Sequence, residues 1–219
     1  QGSINSIYYN NGLFIGKKNE VYRYNEETAN FDLYYQLPNG SLDIFCMHID
    51  KGYLWIGTTT NGVYRLNIDK KELEHPIRKG NIISFYRDSG GELWIGSWEE
   101  GLFHVKTDGK IENFKYDAKN PHSLSSNFVR ACCEDNLGNI WIGTFNGLNR
   151  YNKSTGLFQN HTANDIQSDG LTHSSIWCIV KDNQGTLWLG TYFGGVNYFN
   201  PEYEIYTRYS YSSNEKQGL

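Results

Sequence analysis

The sequence predicts an all-β protein, a β-propeller of four-stranded antiparallel blades, on three observations. Aromatic residues make up 16% of the 219 residues, with 17 Tyr, 11 Phe and 6 Trp, and such side chains favour pleated strands. Against 23 Gly stand only 4 Pro and 1 Met, a balance that supplies tight turns rather than helices. One short phrase also recurs along the chain at blade-like spacing.

The phrase reads Leu54-Trp55-Ile56-Gly57-Thr58, Leu93-Trp94-Ile95-Gly96-Ser97, Ile140-Trp141-Ile142-Gly143-Thr144 and Leu187-Trp188-Leu189-Gly190-Thr191, with a weaker copy at Leu13-Phe14-Ile15-Gly16. From Phe14 through Trp55, Trp94 and Trp141 to Trp188 the steps are 41, 39, 47 and 47 residues. That spacing suits a four-stranded blade and not a helical solenoid unit. Ahead of four copies runs an alternating apolar strand that ends in a turn: Ile44 to Asp50, Ile82 to Asp88, Val129 to Asp135 and Ile176 to Asp182. Strand, turn and phrase make a hairpin. A loop closed by Gly62, Gly101, Gly147 or Gly195 leads to a third strand, such as Leu148 to Asn152, and a turn such as Lys153-Ser154-Thr155-Gly156 leads to a fourth, Leu157 to His161. The units fall at about 1–40, 41–79, 80–123, 124–170 and 171–219.

On the first strand of each unit, Cys46, Ser84, Ala131 and Cys178 are small, as crowding at a propeller axis requires. Period-two alternation places Ile44 and His48 on the face of Cys46, and assigns their counterparts likewise. The phrase Trp is expected between adjacent blades, where a large flat ring fills the gap between sheets. A closed five-bladed ring and a segment of a larger, seven-bladed propeller both accommodate five units; the abrupt ends favour the segment, with neighbouring blades or a second copy of the chain covering the outer faces.

Composition limits function. With 38% hydrophobic and 20% charged residues, the chain can build a core, and a disordered tail is excluded. Twenty Lys and Arg against 24 Asp and Glu, without a long run of either sign, leave no footprint for nucleic acid or an anionic membrane. Apolar stretches such as Ile176 to Val180 are far short of the ~20 residues a bilayer requires. No signal peptide is read at the N-terminus; Gln1 lies almost inside a strand pattern, which reads as a mature or excised piece of a longer protein.

Val129 through Asn152, with Asp135, Gly138, Trp141, Gly143, Thr144, Gly147 and Arg150 in register, resembles the two-component regulator propeller repeat of Bacteroides-like hybrid two-component systems. All five units share the pattern; unit one departs most, with Phe14 for Trp and Lys17 for Thr, and unit three has Ser97 and the bulkier Trp98-Glu99-Glu100 loop. The resemblance implies a periplasmic sensor region that detects carbohydrate fragments and controls glycan-utilisation genes, with its histidine kinase elsewhere.

The chemistry-bearing residues mostly have a structural reading. Cys46, Cys132, Cys133 and Cys178 form no C-x-x-C pair and read as buried free thiols. The six histidines lack metal-ligand spacing, so neither a metal nor any other cofactor is expected. No nucleophile elbow, phosphate loop or dinucleotide fingerprint appears, and the chain is expected to be non-catalytic; a propeller lyase would need more convergent groups than His48 and Tyr86. Asp50, Asp88, Asp135 and Asp182 recur once per blade and read as turn formers that accept backbone N–H bonds.

Function is sought where the repeats differ. The loop from strand two to strand three and the inter-blade loop emerge on one face of a meander. They carry Trp98, Glu99, Glu100, Phe145, Asn146, Tyr192 and Phe193, with Pro121-His122-Ser123 and Leu171-Thr172-His173 between blades. Rings flanked by Asn, Glu and His suit a sugar, whose C–H faces stack while its hydroxyls take hydrogen bonds. The same rings also serve as blade caps, and a flat loop face serves equally as a protein-interaction scaffold.

Overall fold

A computed structural model describes residues 4–10, 12–38, 43–163, 170–203 and 205–209. The expectation attached to Gln1 lies outside the described residues. Within them the chain forms five four-stranded antiparallel sheets, each with its strands in sequence order. The first contains β1 (Ser6–Tyr9), β2 (Leu13–Lys17), β3 (Glu20–Asn25) and β4 (Asn30–Gln36), and the second β5 (Ile44–Asp50), β6 (Tyr53–Thr58), β7 (Val63–Asn67) and β8 (Leu73–Ile77). The third contains β9 (Ile82–Arg87), β10 (Leu93–Ser97), β11 (Leu102–Val105) and β12 (Ile111–Phe114). The fourth has β13 (Val129–Glu134), β14 (Ile140–Thr144), β15 (Gly147–Asn152) and β16 (Leu157–His161), and the last β17 (Ile176–Lys181), β18 (Leu187–Thr191), β19 (Val196–Asn200) and β20 (Ile205–Tyr209). Among the described residues no helix is long and apolar enough to cross a membrane. The residues cluster into two compact units, Gln1–Phe85 and Tyr86–Leu219, with the boundary inside β9.

In the first unit, Phe14, Leu37, Ile44, Met47, Leu54 and Tyr64 share one core. In the second, Trp94, Leu124, Val129 and Ile140 form one core, and Trp141, Leu171, Ile176 and Phe199 another. Trp94 and Trp141 thus lie between sheets as the spacing predicts, both fully buried. Histidines extend this aromatic packing: His104 stacks on Trp94 at 3.8 Å, and His75 on Tyr64 at 3.9 Å.

The phrase glycine has a steric reason. A Cβ added at Gly57 would lie 2.6 Å from Cys46 Sγ and 2.7 Å from Ile82 Cγ2; at Gly143 it would lie 2.7 Å from Ile176 Cγ2. Each glycine therefore admits an isoleucine of the following sheet, and Gly57 also admits the sulfur of Cys46, the residue paired across from it.

The assignment of Ile44 to the face of Cys46 needs correction. The register shifts between Ile44 and Cys46, between Val129 and Ala131, and between Ile176 and Cys178. Each shift marks a β-bulge, which reverses the alternation. Ile44 rests on Gly16 of the preceding sheet, whereas Cys46 lies over Gly57 toward the following one. Likewise Val129 and Cys132 share one core and Cys133 belongs to the next. All four cysteines are free, but Cys178 is exposed and Cys46 only partly covered. The expectation of four buried thiols holds for Cys132 and Cys133; Cys178 lies over Gly190 on the uncovered side of its sheet.

The turn aspartates do more than form turns. Asp135 Oδ1 accepts the Leu137 and Asn139 amides, each at 2.9 Å, and its Oδ2 accepts the Trp141 indole N–H at 2.7 Å. Asp88 with Trp94 and Asp182 with Trp188 repeat the indole bond at 2.9 Å. Turn and inter-sheet ring are thereby fixed together.

Candidate functional site

The loops between second and third strands share one internal lock. The hydroxyl of Thr58, Ser97, Thr144 or Thr191 donates to the carbonyl of Gly62, Gly101, Gly147 or Gly195 at 2.7 to 3.0 Å. The same oxygens accept amides from within the loops, such as Glu100 on Ser97 and Asn146 on Thr144. Ser97 thus does the work of threonine, and the tips are free to vary in composition.

Backbone bonds hold these loops beside the segments that lead into first strands, of the same sheet for Phe145 and Tyr192 and of the following sheet for Gly147. The Phe145 amide donates to Phe128 O and the Tyr192 amide to Ser175 O, both at 3.0 Å, and Gly147 donates to Ser174 O at 2.7 Å. The two loop sets therefore emerge together, as the meander requires.

On this face of the second unit the rings form two runs that together span three sheets. Trp98 meets Phe128 edge-on at 5.5 Å, and Phe128 meets Phe145 at 5.9 Å. Trp177 stacks on Tyr192 at 5.5 Å, Tyr192 meets Phe193 at 4.2 Å, and Phe193 meets His173 at 6.4 Å. The two runs join at Arg130, whose guanidinium carbon is 5.1 Å from the Trp98 ring, 5.7 Å from Phe145 and 3.9 Å from Trp177. Phe145 is 53% exposed, Tyr192 51%, Phe193 81% and Trp177 49%. These exposed rings make an apolar patch on the second unit.

The structure thus gathers Trp98, Phe145, Tyr192 and Phe193 into one surface. Glu99 and Asn146 are exposed on the same loops. Glu100 differs, because its carboxylate is paired with Lys115 at 2.8 Å and helps hold its own loop. Pro121 and His122 line a separate open groove of about 440 Å³ with Arg150 and Leu157. Leu171 is buried and Thr172 is bound to Asn197, so of that segment His173 alone reaches the ring chain. A larger groove of about 960 Å³ in the first unit is lined by Tyr9, Arg23, Tyr24 and Asp32. Neither groove includes a residue of the aromatic face.

Sequence reasoning missed Phe128, Arg130 and Trp177. Arg130 and Trp177 are the extra residues at two bulges, and a bulge re-aims a side chain next to a site. The available signal was the position between the apolar and small residues of each first strand, occupied by Phe45, Arg130 and Trp177 in three of the units.

The residues weighed for catalysis are engaged in packing. His48 lies against Tyr8 and Phe85. Tyr86 accepts the Glu134 amide through its hydroxyl at 2.8 Å, and burial pushes its pKa up to about 12. Among the described residues no group of three His, Cys, Asp or Glu is placed to hold a metal ion.

Comparison with solved structures finds the extracellular domain of a candidate hybrid two component system from B. thetaiotaomicron, at 24% identity and TM-score 0.74, covering 100% of this chain and 30% of that one. Virginiamycin B lyase from Staphylococcus aureus aligns at 17% identity and TM-score 0.70, over 95% of this chain and 70% of that one. PorZ, a surface component of the type-IX secretion system of Porphyromonas gingivalis, aligns at 12% identity and TM-score 0.69, over 95% of this chain and 34% of that one. At these identities the likeness concerns the fold, which an enzyme shares with a regulatory domain. No curated protein matches the chain. Residues 76–99, 123–146 and 170–193 match the two component regulator propeller family, each segment ending in a second-to-third-strand loop.

Proposed function

We propose that the chain is a ligand-sensing segment of the periplasmic region of a hybrid two-component sensor, and that it takes carbohydrate fragments on the aromatic face to control glycan-utilisation genes through a kinase elsewhere. One observation carries this reading: the repeated positions are committed to packing, whereas the varying loop tips contribute rings to two runs that meet at Arg130 and together span three sheets. Rings of this kind stack on sugar C–H faces, and nothing catalytic is required of the face. Neighbouring blades or a second copy of the chain are its proposed structural partners, covering exposed side chains such as Ile7 and Tyr9 on β1 and Val180 on β17.

Calorimetry with a panel of oligosaccharides, repeated on Trp98→Ala, tests the proposal. Binding that weakens more than about tenfold, about 1.4 kcal/mol, with the fold retained, is the expected result. Saccharide binding indifferent to Trp98 refutes the assignment of this face. Peptide binding in place of saccharide binding favours the scaffold reading, which the openness of the face equally serves.

A further inference from the structure

We infer that the ligand of the aromatic face is an acidic saccharide whose carboxylate or sulfate docks on Arg130; this rests on the ligand-binding reading just given. Arg130 stands where the two ring runs meet, brought there by the bulge in β13. Its Nη1 donates to Ser175 Oγ at 3.2 Å, while its Nε is buried without an acceptor. No carboxylate pairs with it among the described residues. Other cations of the same unit are served differently: Lys106 and Lys110 share Glu112, Lys115 holds Glu100, and Lys153 holds Asp88.

A guanidinium drawn partly out of water against three rings loses hydration, and normally a counter-ion makes good that loss. Burial accordingly pulls the Arg130 pKa below its ordinary value, though an arginine remains cationic. The Trp177 ring, 3.9 Å from the guanidinium carbon, fixes the position of a group that can offer paired donors to a carboxylate or sulfate. Glu100 is already neutralised by Lys115, and the remaining acid of that loop, Glu99, is solvent-exposed. The neighbouring rings supply stacking for the sugar, and Arg130 supplies the charge selection.

The test is calorimetry of the chain with tetragalacturonate, a sulfated heparin disaccharide and neutral cellotetraose, at low and raised salt, on the parent, Arg130→Met, Arg130→Lys and Trp98→Ala. Circular dichroism checks the fold of each variant. Expected is binding of an acidic probe that weakens with salt, falls more than about tenfold in Arg130→Met, and is partly kept in Arg130→Lys, which preserves the charge without the fork. Which acidic probe binds separates a uronate from a sulfate. Acidic binding indifferent to both Arg130 variants overturns the inference. A neutral probe bound through Trp98 and unaffected at Arg130 overturns it while leaving the ligand-binding reading intact. Failure of every probe to bind overturns both.

Discussion

Gly143→Ala tests whether the phrase glycine is there to admit the next sheet. The new Cβ would stand 2.7 Å from Ile176 Cγ2, 3.1 Å from Ile176 Cβ and 3.4 Å from Ile179 Cδ1. Ordinary carbon contacts are ~3.5–4.0 Å, so the two sheets must part by roughly an ångström or Ile176 must yield. Ile176 is fully buried and β-branched, hence stiff at χ1. Overpacking of this kind costs about 1–3 kcal/mol, offset by about 0.4–1 kcal/mol from the lower freedom of alanine in the unfolded chain. The net expectation is a loss of about 1–2 kcal/mol, read as a lower urea midpoint at unchanged slope. Ile176→Ala alone loses about 2–5 kcal/mol by leaving a cavity, but in the double variant the new methyl occupies part of that cavity. The double variant should therefore lose at least about 1 kcal/mol less than the sum of the singles. A Gly143→Ala protein as stable as the parent, or strict additivity of the pair, refutes the reasoning.

Trp141→Phe keeps a large ring between sheets but removes the N–H held by Asp135, a carboxylate only 4% exposed; a loss of about 1.5–3 kcal/mol is expected in urea titration, and a change within experimental error counts against the turn-to-ring coupling. Lys153→Met removes the ammonium that lies 2.8 Å from Asp88 and 3.5 Å from Glu134; discounted for the one-third exposure of Lys153, the expected loss is about 1–2 kcal/mol. The same site shapes acid stability. Burial raises the Asp88 pKa, but hydrogen bonds from Lys153, Trp94 and the Glu92 amide outweigh burial and leave it below the ordinary carboxylate value. Its contribution is therefore present above about pH 4 and is lost as pH falls through the folded value, so the parent should lose stability in acid more steeply than Lys153→Met. Equal slopes for the two proteins contradict this.

Much of the architecture is legible in the amino-acid sequence because it is local and repeated. A strand alternates with period two, a hairpin needs its glycine within a few residues, and the phrase around each Trp repeats both in register. The same comparison of repeats finds the variable loops, and so Trp98, Phe145, Tyr192 and Phe193. Three features depend on tertiary structure. The bulges after Ile44, Val129 and Ile176 shift register without a distinctive residue, because a bulge is defined by what pairs across the ladder; period-two reading therefore misplaced Ile44 relative to Cys46. The commitment of Glu100 to Lys115 spans 15 residues, and only the folded sheet brings the two together. Arg130 looks like any charged residue in a strand, yet its surroundings come from loops and strands of three sheets, up to 47 residues away at Trp177. Backbone periodicity is written along the chain, whereas the desolvation and charge balance of a surface arise when separate repeats are stacked.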